Sequence, residues 1–392
     1  DTDPSPAGSS GAGLSVRTFA TFGGLSGLIP IVGLTSGYCF AGNAALLGCC
    51  DVIIATKGSN IGMGGPAMIE FGGLGVFKPT EIGGLDVQIP NGVVDVLVEN
   101  ETEAVRVAKK YLSYFQGSFL PMSAYINSCG NQLLLRGAVP ENRLRVYDMA
   151  NIINLIADTN SVLYLRPNFG IGMYTALTRI AGRPVGILAN NPNHLGGAID
   201  ADASTKGARF LELCDAYDIP ILNLIDCPGF MVGPESEKEA CVRRFGRMFV
   251  VYSSITVPFF SVIIRKAYGL GAQAMTGGRM MGKEGFCISW PTGEFGGMGL
   301  EGAVRLGYPR ELAKAKEEGG VEAEQALFDK LVAQSYERGS ALNNLLQGDL
   351  DDVIDPADTR KWVIMGLQSN PQPQHFKFRR RGKKKRPVIS AW

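Results

Sequence analysis

Apolar and polar positions along the chain sort into two kinds of segment. Short, nearly unbroken apolar runs occur at "LIPIVGL" (28–34), "DVIIAT" (51–56), "GVVDVLVEN" (92–100), "RPVGILANN" (183–191), "IPILNLIDCPGF" (219–230), "VPFFSVIIR" (257–265) and "GFCISW" (285–290). Runs of that length, bounded by Gly and Pro, predict buried strands. Between them lie a small-residue helix at 41–50, an amphipathic helix at 101–117 closed by Gly117, and helices near 147–158, 202–217 and 237–254. A charged helical pattern fills 309–343, and a turn, a short strand and a final helix begun at Asp355-Pro356 close the pattern. Strands alternating with helices predict an α/β protein.

Two stretches follow one plan. "IPIVGLTSGYCFAGNAALLG" and "VPFFSVIIRKAYGLGAQAMTGG" each run from a Pro through an apolar strand into a Gly-containing turn and a helix of small residues. Each is followed by a second strand and a Gly/Pro-rich turn, "IGMGGPA" (61–67) and "ISWPTGE" (288–294). The spacing differs by a few residues, which predicts two copies of a ββα-type unit. The chemistry available at such a junction is specific. Gly and Ala let a ligand approach the backbone. The first N–H groups of a helix lack intrahelical acceptors, and two aimed at one point stabilise a negative oxygen. The plain alternative is tight helix-on-sheet packing.

Composition narrows the classes. The 392 residues favour two domains, and 19% charged residues exclude a disordered or coiled-coil chain. The irregular stretch 118–145 is the best candidate boundary. Two histidines, His194 and His375, supply a metal site or a Ser-His-Asp triad poorly, and no metal is expected. Eight cysteines without a CxxC pair predict reduced, buried thiols in an intracellular protein, cytoplasmic or mitochondrial. No apolar run of about 18 residues occurs, so no membrane span is expected.

The segments "GARFLELCDAYDIPILNLIDCPGFMVGPESE", "VPFFSVIIRKAYGLGAQAM" and "CISWPTGEFGGMGLEGAV" together resemble the carboxyltransferase component of biotin-dependent acyl-CoA carboxylases. "LIPIVGLTSGYCFAGNAALLGCCDVIIAT" is similar to the matching part of its N-terminal domain, and "GDLDDVIDPADTRKWV" to its last strand and helix. The resemblance covers most of residues 14–370. It implies a crotonase-like ββα superhelix of two related domains, here 1–140 and 141–375, with a basic tail at 376–392. It implies carboxyl transfer from carboxybiotin to the α-carbon of an acyl-CoA. It further implies a dimer-based homo-oligomer, up to a hexamer, with sites between subunits. It implies biotin carboxylase and biotin carboxyl carrier domains as partners, and no biotin-attachment sequence is found in these residues.

Carried over by position, the resemblance puts one oxyanion hole at Ala41 and Gly42 and a second at Leu270 and Gly271. The family usually has Gly-Gly at the first pair and Gly-Ala at the second. Gln273 falls at the base of the acyl pocket, where it either favours a polar acyl group or caps a local network. Gly37, Gly65 and Gly293, in the repeat's turns, are expected to border substrate. The family has a longer segment before the first repeat. Here it is expected to be cleaved, on another chain or absent, and absence points to a non-catalytic subunit that keeps the fold.

Other candidates carry less. Asp226 to Gly229 form a strand-end turn that either borders a biotin channel or is an ordinary turn. Glu70, Glu294 and Glu301 follow Gly-rich turns, as acid–base residues of a crotonase-type hydratase or isomerase do. His194 reads as a polar loop residue. Lys377, Arg379, Arg380, Arg381, Lys383, Lys384, Lys385 and Arg386 put eight positive charges in 376–388; the formal net charge is +1, so the remainder carries −7. Such a tail suits nucleic acid, a membrane surface or CoA phosphates, or else a solvated or subunit-docked terminus. No aromatic stacking pattern supports nucleic acid.

Overall fold

A computed structural model describes residues 16–118, 128–278, 285–371 and 384–392. The strands in chain order are β1 (Val32–Thr35), β2 (Tyr38–Phe40), β3 (Val52–Thr56), β4 (Asn60–Gly62), β5 (Val96–Val98), β6 (Leu163–Tyr164) and β7 (Met173–Ile180). They continue with β8 (Arg183–Asn190), β9 (Ile221–Cys227), β10 (Phe259–Tyr268), β11 (Gly285–Ser289), β12 (Glu294–Gly296) and β13 (Asp352–Val353). The first half holds a three-stranded sheet, β1-β3-β5, and a two-stranded one, β2-β4. The second half is built on β13-β11-β10-β9-β8-β7-β6, with β12 pairing the end of β10.

The central strands of the second half are parallel and covered on both faces, which is why their sequences are nearly continuous apolar runs. Along β9, Ile221, Ile225 and Cys227 enter one core, shared with the helices Ala201–Ala216 and Cys241–Ser254. Leu222 and Leu224 enter the other, shared with the helices Met149–Ile156 and Thr359–Ser369. The first core also takes in Val52, Ile54 and Tyr111 of the first half, so the halves share a hydrophobic layer. Buried polar contacts cross the same boundary. Arg166 pairs with Asp95 at 2.9 Å, and Asp51 receives the Tyr217 hydroxyl at 2.8 Å. Leu135 packs in the second core and Arg136 pairs with Asp355 at 2.6 Å, so the packing of the second half begins before residue 141.

The repeat is visible in the pairing. In the first copy β1 runs beside β3 and β2 beside β4, with Phe40 opposite Gly62. In the second copy the single long strand β10 serves as both β1 and β2. Its start pairs with β11, and its end pairs with β12, with Tyr268 opposite Gly296.

Several strands lie outside the apolar runs named from the sequence, the short β2, β4, β6 and β12 and the long β7. β7 forms an antiparallel hairpin with β8, turned at Ala181 (φ 49°) and Gly182 (φ 76°). Two consecutive positive φ values are what a two-residue hairpin loop of this hand requires.

The tail residues Lys377 to Lys383 lie outside the described residues. Residues 384–392 lie back on the chain's own surface. Lys385 reaches Asp218 at 2.7 Å, Arg386 reaches Asp215 at 2.6 Å, and the Ile389 N–H donates to Ser26 Oγ at 3.0 Å. No helix among the described residues is long and apolar enough to cross a membrane.

Candidate functional site: two strand–helix junctions

The junction that follows β10 begins with Gly269, at φ 55°. The helix Gly269–Thr276 starts there, so the amides of Leu270 and Gly271 fall in its first turn, without intrahelical acceptors. Gly269, Ala272, Gln273 and Thr276 form one stripe of this helix. That stripe lines a cleft of about 580 Å³, closed on other sides by Ile263, Cys287, Phe295 and Leu350. The opposite stripe is packed: Gly271, Ala274 and Met275 are buried. Leu270 is 64% exposed and does not line the cleft, so its bulk does not fill it. Beneath Gly271 lies Cys227, whose thiol burial pushes up to about 12; it is no nucleophile near neutral pH.

Gln273 is exposed at the cleft, and its main-chain carbonyl accepts the Gly277 N–H. Gly293 sits in the turn between β11 and β12, where its N–H reaches Trp290 O at 2.9 Å. A Cβ there would stand 2.1 Å from Ser289 Oγ, so a larger residue would force that serine side chain to turn away.

The first junction matches the second with one shift. Phe40 and Tyr268 hold the same place in the ladder, so Ala41 corresponds to Gly269, Gly42 to Leu270 and Asn43 to Gly271. Ala41 takes φ 54°, ψ −124°, a conformation that costs most residues about 1–3 kcal/mol. Its N–H donates to Gly62 O at 3.1 Å, continuing the β2–β4 ladder. Of the expected donor pair Ala41 and Gly42, only Gly42 has its amide in the helix's first turn. Ala41 spends its amide inside the sheet, and Gly42 and Asn43 are the first-turn amides of the helix Gly42–Gly48. The Phe19 ring packs on this turn, 3.3 Å from where a Gly42 Cβ would lie. Gly37 (φ 77°) turns the chain between β1 and β2, and Gly65 caps the helix Pro66–Phe71.

Three of the remaining candidates, Glu294, Glu301 and His194, are held in structural contacts. Glu294 pairs with Arg143 at 2.6 Å and accepts the Tyr268 hydroxyl at 3.0 Å. Glu301 accepts the Tyr336 hydroxyl at 2.7 Å, and Glu70 lies exposed on a short helix. His194 Nε2 lies 2.9 Å from Asp200, which caps the helix Ala201–Ala216. No cluster of three or more metal-binding side chains occurs among the described residues.

Sequence reasoning named Asp226 only as part of a strand-end turn, and missed Tyr147 and Arg265, which with it brace the second junction. Asp226 is fully buried and accepts from Tyr147, Arg265 and the Lys266 N–H. A carboxylate inside an apolar strand run is the signal that marks it.

Residues 7–385 match the carboxyl transferase domain family. The chain is 31% identical to the methylmalonyl-CoA carboxyltransferase 12S subunit of Propionibacterium freudenreichii subsp. shermanii, covering 90% of this chain and 68% of that one. It is 32% identical to the propionyl-CoA carboxylase beta chain of Saccharopolyspora erythraea, covering 91% and 67%. It thus spans about two thirds of the length of these relatives. Among solved structures, a single-chain, multi-domain long-chain acyl-CoA carboxylase is 51% identical, with a TM-score of 0.83 over 92% of this chain and 35% of that one. The transcarboxylase 12S hexamer, solved with methylmalonyl-CoA, is 29% identical with a TM-score of 0.78, over 92% and 70%. The family match over nearly the whole chain and the likeness to these relatives show that the chain belongs to the carboxyl transferase domain family, the carboxyltransferase component of biotin-dependent acyl-CoA carboxylases.

Proposed function

We propose that this chain moves a carboxyl group from carboxybiotin, carried on a separate domain, to the α-carbon of an acyl-CoA. The observation that carries the reading is the second junction, where two first-turn amides stand at the head of a helix whose side lines a cleft. Carboxybiotin supplies the activated carboxyl group. The Leu270 and Gly271 amides hold negative charge on the biotin side, and Gly42 with Asn43 holds it on the thioester oxygen. Backbone donors fit both roles because the charge sits on an oxygen and no side-chain base is needed. Losing one such donor costs about 3 kcal/mol in a transition state.

The same reading assigns Gln273 to the acyl end of the cleft and Gly37, Gly65 and Gly293 to the borders of bound substrate. It divides the chain near residue 140 into two related domains. It supplies biotin carboxylase and carrier domains as partners, a dimer-based homo-oligomer as the assembly, and the cell interior as the compartment.

The test is decarboxylation of methylmalonyl-CoA and malonyl-CoA by the full chain, with and without free biotin. Biotin-stimulated turnover is expected. A folded, CoA-binding chain with no turnover on either substrate overturns the reading in favour of a scaffold.

A further inference from the structure

β9 and β10 do not run in step. Ile225 faces Ile263 and Cys227 faces Ala267, so three residues of β10, Ile264, Arg265 and Lys266, stand opposite Asp226 alone. Such a bulge breaks the ladder and re-aims the strand that carries it. Here that strand ends at Tyr268 and becomes the helix whose first turn holds Leu270 and Gly271.

The carboxylate of Asp226 closes the gap. One oxygen accepts the Lys266 N–H at 3.1 Å and lies 3.5 Å from Lys266 Nζ. The other accepts Arg265 Nε at 3.1 Å and the Tyr147 hydroxyl at 2.9 Å, with Arg265 Nη2 at 3.0 Å. Arg265 Nη1 continues to Arg145 O at 2.8 Å, and Lys266 Nζ to Gly196 O at 2.5 Å. Asp226 and Arg265 are both buried, so these bonds act at low dielectric, with little water to replace them. Three residues past Asp226, Gly229 lies against Gly271. The carboxylate thus sets both sides of that contact, the turn through β9 and the helix start through β10.

We propose that Asp226 is a positioning residue for carboxyl transfer, holding the β10 bulge so that the Leu270 and Gly271 amides stand at a fixed distance from the Pro228–Gly229 turn. This rests on the function proposed above. An amide that stabilises developing charge acts on kcat, whereas ground-state binding of acyl-CoA is read in KM.

The test measures kcat and KM for biotin-dependent decarboxylation of methylmalonyl-CoA, together with thermal unfolding, for wild type, Asp226→Asn and Tyr147→Phe. Asp226→Asn keeps the shape and removes the charge; kcat per folded chain is expected to fall about 100-fold, the scale of a lost oxyanion donor, with KM for acyl-CoA within about twofold. Tyr147→Phe removes one hydrogen bond; it is expected to keep the fold and lower kcat about 3- to 10-fold, the scale of one hydrogen bond. If Asp226→Asn fails to fold, Tyr147→Phe decides alone. Variants that lower the melting temperature but leave kcat unchanged overturn the inference and make Asp226 a purely structural group. A wild-type chain without turnover overturns the proposed function and this inference with it.

Discussion

Gly271 lies against Gly229 so closely that a Cβ on Gly271 would stand 2.6 Å from the Gly229 carbonyl carbon and 2.9 Å from Cys227 Sγ. Gly271→Ala is expected to push the helix start away from the β9 turn. The cost is that of an overpacked core, about 1–3 kcal/mol, read as a lower urea midpoint.

Ala41→Gly is expected to do the opposite. Ala41 holds φ 54° and ψ −124°, which glycine adopts without a Cβ clash. Relief of strain is partly offset by the greater freedom of glycine in the unfolded chain. A net gain of roughly 0.5–1 kcal/mol in chemical denaturation is expected. An unchanged or lower midpoint shows that the turn carries no strain.

Lys206 gives the stability a pH dependence. Burial, with Arg166 nearby, lowers its pKa from 10.5 to about 7, while Nζ donates to Met173 O at 2.7 Å. Between about 7 and 10.5 the unfolded chain binds this proton and the folded chain does not, so raising the pH favours the folded state. The wild-type midpoint should therefore rise from pH 7 to pH 9.5 relative to that of Lys206→Met. Parallel pH profiles for the two proteins would contradict this.

Asp215 depends on the docked tail. Its burial alone would raise its pKa, but Lys385, the Thr256 N–H and Arg386 outweigh that and lower it. A carboxylate with a lowered folded pKa stabilises above its ordinary value of 3.8 and loses that contribution as pH falls through the lower one. Lys385→Gln combined with Arg386→Gln leaves the charge buried and unpaired, and should cost about 3 kcal/mol at pH 7. The difference from wild type should shrink toward acid pH, as seen in unfolding monitored by circular dichroism.

Gln273 faces the cleft without being buried, so Gln273→Ile should change stability by less than about 0.5 kcal/mol. It should instead shift the ratio of kcat/KM between polar and apolar acyl groups, toward the apolar, by about tenfold. A ratio that stays fixed would move the acyl end of the cleft away from this residue.

The junctions were legible because they rest on local composition: an apolar run, a glycine, then small residues. The parallel strands were legible for the same reason, since burial on both faces leaves few polar positions. β7 was not, because Thr175, Thr178 and Arg179 interrupt its apolar pattern, although the Ala181-Gly182 turn was a usable hairpin signal. The bond from the Ala41 amide to Gly62 was not legible, because backbone hydrogen bonding is set by ladder register, which the residue type does not report. The Tyr147, Asp226 and Arg265 cluster was hidden for a related reason: residues distant in sequence meet only once the strands have chosen their register.

The strand β13 has a bearing on biosynthesis. It supplies the last neighbour of β11, through Ile288 opposite Asp352 and Ser289 opposite Val353. A ribosome releases β11 well before β13, so the nascent sheet waits with a raw flank that another polypeptide can zip onto. Chains cut short of residue 352 should therefore collect in inclusion bodies rather than merely lose the final helix.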